Sequence, residues 1–188
     1  PKFIEIQRLA PYTVRGTDVP VVLDLMIHDI DILLHFVDSK VQSISATGLS
    51  IMTDSVDIAN ARIRFKNGTV ASLTSSRIAK DKVRKIKLFQ QNIYITIDML
   101  LNSSEIYKVS SDKNIKNKYS VSIDYKGINK KIIYSKPVVK IKDPLNMELE
   151  NFSDSIRGDS IPIVSGVEGR NVLSVAEKIH NLILEDLH

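Results

Sequence analysis

Between Lys40 and Tyr134 the apolar residues recur with a period of two, interrupted by short polar turns, and this alternation commits much of the chain to β-strands. Ile44 and Ala46 alternate with Val41, Ser43, Ser45 and Thr47. In Val56–Lys66, Ala59, Ala61, Ile63 and Phe65 alternate with Ile58, Asn60, Arg62, Arg64 and Lys66, and Asn67-Gly68 follows at once. Asn-Gly between two alternating runs signals a hairpin, because a type I′ turn needs positive φ at both central positions. The expected register pairs Phe65 with Val70 and Ile63 with Ser72, and the returning strand runs to about Ile78. Val83–Phe89, Ile93–Asp98 and Glu105–Ser110 predict further strands. Tyr119–Tyr125 and Ile128–Tyr134 predict a second hairpin around Lys126-Gly127, and the polar, aperiodic Ser111–Asn117 reads as a loop.

Helical patterns flank this region. Phe3–Leu9 first alternates as a short strand, with Ile4, Ile6 and Arg8 on one side, until Pro11 breaks it. Val21–Val37 has no Gly or Pro and predicts a largely buried helix, with Thr17 or Asp18 as its cap and Pro20 in its first turn. After Asp143-Pro144 the period returns to 3.6. Leu145, Leu149, Phe152 and Ile156 share a face, and Gly158 stands where a left-handed cap ends a helix. A last helix is expected over Val167–Leu187. The fold class that follows is α+β: a mostly antiparallel, open-faced sheet with helices packed on one face. With 188 residues, 43% of them hydrophobic, residues 1–188 suffice for a single domain. The small outward residues Ser45, Thr47, Ser72, Thr74 and Ser76 predict that the other sheet face packs against another subunit or domain, with a homo-oligomer as the expected assembly.

Several function classes are excluded or disfavoured. There is no cysteine, hence no disulfide scaffold, thiolate nucleophile or Cys-ligated metal. The net charge of +4 gathers as lysines over Lys80–Lys87 and Lys113–Lys142, but aromatics make up only 6% with no Trp, so no nucleic-acid partner is expected. Charges from Asp24 to His35 interrupt the best apolar run, so no membrane partner is expected and the default location is cytoplasmic. Neither a Gly-x-Gly-x-x-Gly nor a P-loop, a His-Glu-x-x-His or a nucleophile elbow is present, and Ser135-Lys136-Pro137 reads as surface. A nucleotide cofactor would have to come with another domain or chain.

Within Val21–Val37 the polar residues are ordered. At about 100° per residue, Asp24, His28, Asp31 and His35 fall within an arc of roughly 60°, while Asp29 points elsewhere. Such a stripe is either a narrow solvent edge, an i,i+4 pair that merely supports a helix, or the wall of a site. Asp24, His28 and Asp31 could also supply an N/O set for a metal ion, although no further ligand stands out. Arg8 and Arg15 flank the helix start and are candidates to grip a substrate phosphate.

The run FIEIQRLAPYTVRGTDVPVVLDLMIHDIDILLHFV resembles the start of the C-terminal domain of the Gfo/Idh/MocA oxidoreductases, the glucose-fructose oxidoreductase and inositol dehydrogenase family. The likeness continues through DIANARIRFKNGTVASLTSSRI and into LNMELENFSDSIRGDSIPIVSGVEGRNVLSVAEKIHNLI, which is similar to the closing helices of that domain. Its most specific part is Asp-x-x-x-His followed by x-x-Asp. The resemblance implies a fold like the C-terminal domains of dihydrodipicolinate reductase and glucose-fructose oxidoreductase. It also implies NAD or NADP bound mainly by an N-terminal Rossmann domain that this chain lacks, and a sugar, cyclitol or nucleotide sugar as substrate. Asp24 and His28 match the family's catalytic pair, with His28 as base or proton relay, Asp24 orienting it, and Asp31 as support. The wording PYTVRGTDVPVVLDLMIHDID is similar to the subgroup acting on UDP-N-acetylglucosamine. The chain is then expected to be the C-terminal part of a longer two-domain dehydrogenase, inactive by itself. A non-catalytic oligomerisation or binding module is the alternative.

Overall fold

The structure, a computed structural model, describes residues 1–14, 17–111, 120–125 and 128–187. Lys113–Asn117 and the turn Lys126-Gly127 therefore lie outside the described residues. In chain order the elements are β1 (Phe3–Leu9), a π-helical turn (Val22–Met26), α1 (Ile27–Phe36), β2 (Val41–Leu49), β3 (Ile58–Phe65), β4 (Val70–Ser76), β5 (Val83–Gln90), β6 (Ile93–Asp98), β7 (Ser103–Ser110), β8 (Ser120–Tyr125), β9 (Ile128–Ser135), α2 (Pro144–Arg157) and α3 (Gly166–Leu187). The described strands form one nine-stranded sheet in the order β2-β3-β4-β1-β5-β6-β7-β9-β8. Among the described strands only the β1–β4 pair is parallel. The helix-then-hairpin excursion between those two strands carries the chain back to β1's side, which a tight turn cannot do for parallel partners.

The core lies on one face of the sheet. Ile4 and Ile6 of β1, Ala59, Ala61 and Ile63 of β3, and Ala71 and Leu73 of β4 are buried under Met26, Ile30 and Leu33. Val172, Ala176, Ile179 and Ile183 of α3 pack beside them. Where α3 crosses β2 the backbones approach closely at Gly48. A Cβ there would stand 2.8 Å from Val56 Cγ1 and 2.9 Å from Ile183 Cγ2, so a side chain has no room.

The β3–β4 hairpin closes one residue away from the expected register. Arg64 faces Val70, Ile63 faces Ala71 and Arg62 faces Ser72. Gly68 N–H donates to Phe65 O at 3.0 Å, Phe65 N–H donates to Thr69 O at 2.9 Å, and Gly68 alone takes positive φ, at 84°. This is the longer loop that ends on a left-handed glycine rather than a two-residue type I′ turn. The physical reason is face consistency. Cross-strand partners share a face, so the expected register would have set Ile63 against Ser72, whereas the observed one sets apolar against apolar. Asn92 and Asn102 take left-handed conformations (φ 63° and 48°) in the β5–β6 and β6–β7 turns.

The second sheet face is less plain than its small residues suggested. Besides Ser45, Thr47, Ser72 and Thr74 it carries a ladder of rings across five strands, Phe3, Phe89, Tyr94, Tyr107 and Tyr134, with successive centroids 5.6, 4.8, 5.6 and 5.1 Å apart. Lys87 pairs with Glu5 at 3.2 Å and Lys85 with Asp98 at 3.3 Å on the same face, so part of the basic cluster is neutralised locally. Glu105 accepts from both Tyr107 and Tyr134 hydroxyls at 3.2 Å. Burial first, then the Glu105 carboxylate, raises the pKa of both phenols. No helix among the described residues is long and apolar enough to cross a membrane.

Candidate functional site

The stripe seen in the sequence sits where the chain enters its first helix. The segment before that helix is tied down from outside: Val21 N–H donates to Val56 O at 2.9 Å, Ser55 Oγ donates to Thr17 O at 3.0 Å, and Arg77 donates to the Val19 carbonyl. The loop that carries Ser55 and Val56 is held by Asp57, whose buried carboxylate accepts from the N–H groups of Ile51, Met52 and Thr53 and from the Thr53 hydroxyl. Burial alone would raise the Asp57 pKa, but those donors outweigh it and lower it to about 2.

The helix itself departs from the expected regular form. Ile27 N–H reaches back to Val22 O, so the first turn is π-helical before α1 begins. A chain pinned at both ends absorbs a mismatch in this way, and such turns recur at functional sites. Val22, Met26, Ile30 and Leu33 still form the inward stripe, while Asp24 and His28 are exposed on the outward side. Among the described residues neither Asp24, His28 nor Asp31 has a side-chain hydrogen bond or ion pair, which leaves all three available to a ligand. No three His, Asp or Glu side chains among the described residues are grouped so as to hold a metal ion, so the N/O set suggested by the stripe gains no support.

Arg8 was a candidate for a substrate phosphate, and the structure commits it elsewhere. Its Nε donates to Asp29 Oδ2 at 2.9 Å and its Nη2 to Asp29 Oδ1 at 2.7 Å, with both residues buried. The fork is thus occupied inside the core. The sequence held the signal in two places: Arg8 continues the buried alternation of Ile4 and Ile6, and Asp29 stands on the inward arc with Met26 and Leu33. Two opposite charges aimed at one core imply each other. Arg84 of β5 stands opposite Arg8 in the sheet. Burial chiefly, with the Arg8 charge, lowers its pKa, and the Asp29 charge opposes this. Arg15 lies outside the described residues.

Asp31 and His35 line a groove of about 550 Å³ between the second half of α1, the start of β2 and the first half of α3. Its floor is apolar, with Leu34, Val41 and Val172, and Glu168 and Asn171 edge it. Ser165 and Glu168 cap α3 reciprocally, Ser165 N–H donating to Glu168 Oε2 at 2.6 Å and Glu168 N–H to Ser165 Oγ at 3.4 Å. Hydrogen bonding to the Glu168 carboxylate from the Ser165 backbone N–H first and then from its side chain, with a smaller pull from His35, outweighs burial and lowers the Glu168 pKa. His35 is therefore a groove residue, and the outward face of the helix leads from Asp24 and His28 to the groove's edge at Asp31.

Residues 11–96 match the family model of the GFO/IDH/MocA C-terminal domain. UDP-N-acetylglucosamine 3-dehydrogenase from Acidithiobacillus ferrooxidans is 31% identical over 181 residues, covering 95% of this chain and 53% of that protein. A solved structure of that enzyme superposes over 100% of this chain and 55% of its own, with a TM-score of 0.84 at 30% identity. An NAD-binding protein from Listeria innocua shares the fold at 21% identity, with a TM-score of 0.76 over 98% of this chain and 57% of its own. The chain spans about half the length of these relatives.

Proposed function

Because this chain carries a GFO/IDH/MocA C-terminal domain, we propose that it is the substrate-binding half of an NAD(P)-dependent dehydrogenase that oxidises a secondary hydroxyl of a sugar, cyclitol or nucleotide sugar. The observation that carries the reading is the unpaired Asp24 and His28 on the outward face of a helix whose opposite face is locked into the core. A nucleotide sugar is favoured among the substrates because the 31%-identical relative is named for one.

Oxidising a secondary alcohol removes a proton from oxygen and a hydride from carbon, and the groups of this chain serve the proton half. His28 accepts the hydroxyl proton, Asp24 orients the ring or holds the neighbouring hydroxyl, and Asp31 supports the imidazole from one turn further on. Arg15 is left as the arginine near the helix start for a substrate phosphate. The described residues do not fit a dinucleotide: Gly48, Gly68, Gly158, Gly166 and Gly169 are spread over a strand, a hairpin, a helix end and α3, and none forms a strand-to-helix phosphate loop. NAD or NADP is accordingly held by a domain outside residues 1–188, and the chain by itself is inactive. Residues 1–188 form one domain of a longer, cytoplasmic, two-domain enzyme.

The open sheet face is proposed as the surface for a second copy, with the half-buried ring ladder at its centre. Light scattering at micromolar concentration tests this, and a strictly monomeric species contradicts it. For the activity, a panel of nucleotide sugars and free sugars is offered to the intact enzyme with NAD and with NADP. Cofactor reduction with at least one nucleotide sugar is expected, and no reduction with any member of the panel counts against the reading.

A further inference from the structure

We propose that the Arg8–Asp29 pair is a positioning device for His28, fixing the rotation of α1 about its own axis so that the imidazole is presented outward beside Asp24. The proposal rests on the dehydrogenase reading above. Asp29 follows His28 directly, and its two oxygens are held at 2.7 and 2.9 Å by two nitrogens of one planar guanidinium that is anchored in β1. A two-point contact between rigid planar groups sets an angle as well as a distance.

Apart from the charge of Asp29 acting on Arg84, the packing of α1 on the core among the described residues is apolar, through Ile30, Leu33 and their neighbours, and apolar contact is not directional. The turn just before α1 is π-helical, with Ile27 N–H bonded to Val22 O. A helix without an angular anchor can exchange that turn for an α-turn, which turns α1, and His28 with it, about the helix axis relative to the tethered segment before Val22. The pair therefore stands directly after the π-helical turn that its removal would release.

Energetics favour an orienting role over a stabilising one. The side chains retain 7% and 2% of their exposure, so both charges have left water, and a buried ion pair generally contributes no more to stability than apolar side chains of similar size. What apolar side chains cannot reproduce is the fork geometry. Stability and geometry are therefore separable by substitution.

The test uses the intact dehydrogenase and its nucleotide-sugar substrate, with Arg8→Met/Asp29→Leu, Arg8→Lys and His28→Ala assayed together. The double variant is expected to keep or raise the unfolding midpoint while kcat falls about 10- to 100-fold and KM moves by less than about threefold. Arg8→Lys keeps the charge without the fork, and an intermediate loss of kcat is expected. A double variant as stable as the parent with kcat within twofold overturns the proposal. If that variant does not fold, Arg8→Lys decides, and unchanged kcat there overturns it equally. Full turnover in His28→Ala sinks the dehydrogenase role of His28 and the positioning claim with it, whereas an inactive His28→Ala beside a fully active double variant removes the positioning claim alone.

Discussion

Helices α1 and α2 arise from similar periodic patterns and end in opposite surroundings. In α1 the side chains of Ile30 and Leu33 are fully buried, as is Met26 just before it. In α2 no residue is buried, and Leu145, Leu149, Phe152 and Ile156, which share one face, stay between 54% and 72% exposed. Yet α2 is the better-finished helix locally. The Asp143 carboxylate accepts from Leu145 N–H at 3.0 Å, and Gly158 closes the helix with φ 82°. Asn151 holds the following loop, donating to Ile161 O at 3.3 Å and accepting from Ile163 N–H at 3.0 Å. Caps and spacing make a helix; burial depends on what lies opposite. In α1 a strand supplies both apolar partners and a cation for the single inward carboxylate, and α2 has no such platform.

That contrast can be broken by urea unfolding of the chain. Asp29→Ala leaves the Arg8 guanidinium buried and unpaired, and a loss of about 3–5 kcal/mol is expected. Leu33→Ala or Ile179→Ala opens a cavity in the shared core and costs about 2–5 kcal/mol. A loss below 1 kcal/mol at either position would mean that the two helices differ less than their burial shows. Acid acts on the same side of the molecule. The Asp57 pKa is about 2 when folded against about 3.9 when unfolded, so the unfolded state takes up the proton first. Stability is complete above about pH 5 and falls, by on the order of 2 kcal/mol, as the pH drops toward 2. Asp98 is shifted in the same direction, burial being outweighed by donors from Leu101, Lys85 and Leu100, and adds to the loss. A urea midpoint that does not move between pH 5 and pH 3 would contradict this. On α2, Gly158→Ala is expected to cost only about 1 kcal/mol, from its left-handed backbone. Phe152→Ser and Ile156→Ser should change stability by less than about 0.5 kcal/mol, because neither side chain leaves water on folding here. A larger loss would place α2 against the core in solution.

Much of the fold was legible because period two and period 3.6 report which side of an element seeks cover. The alternation of Ala59, Ala61, Ile63 and Phe65 and the cap at Gly158 stand as expected. Strand order was not legible, since nothing local says that β1 lies between β4 and β5, and the ring ladder exists only once that order is known. The β3–β4 register was missed because Asn67-Gly68 admits two loop lengths, and the face of Ile63 chooses between them. The same limit hid Arg8–Asp29. Each residue was visible as a charge on an inward face, but their meeting depends on how a helix lies on a strand. Asp24, His28 and Asp31 were legible as a stripe because one helix face is a local property; the π-turn was not, because tethers at Val56 and Arg77 shape it.

The most direct test of the proposed dehydrogenase role is the turnover of His28→Ala in the intact protein, with whichever nucleotide sugar the substrate panel identifies, measured beside cofactor binding. A fall in kcat on the order of 10² to 10⁴ with cofactor affinity little changed is expected. Unaltered turnover would remove His28 from the proton transfer and return the polar stripe to a solvent edge.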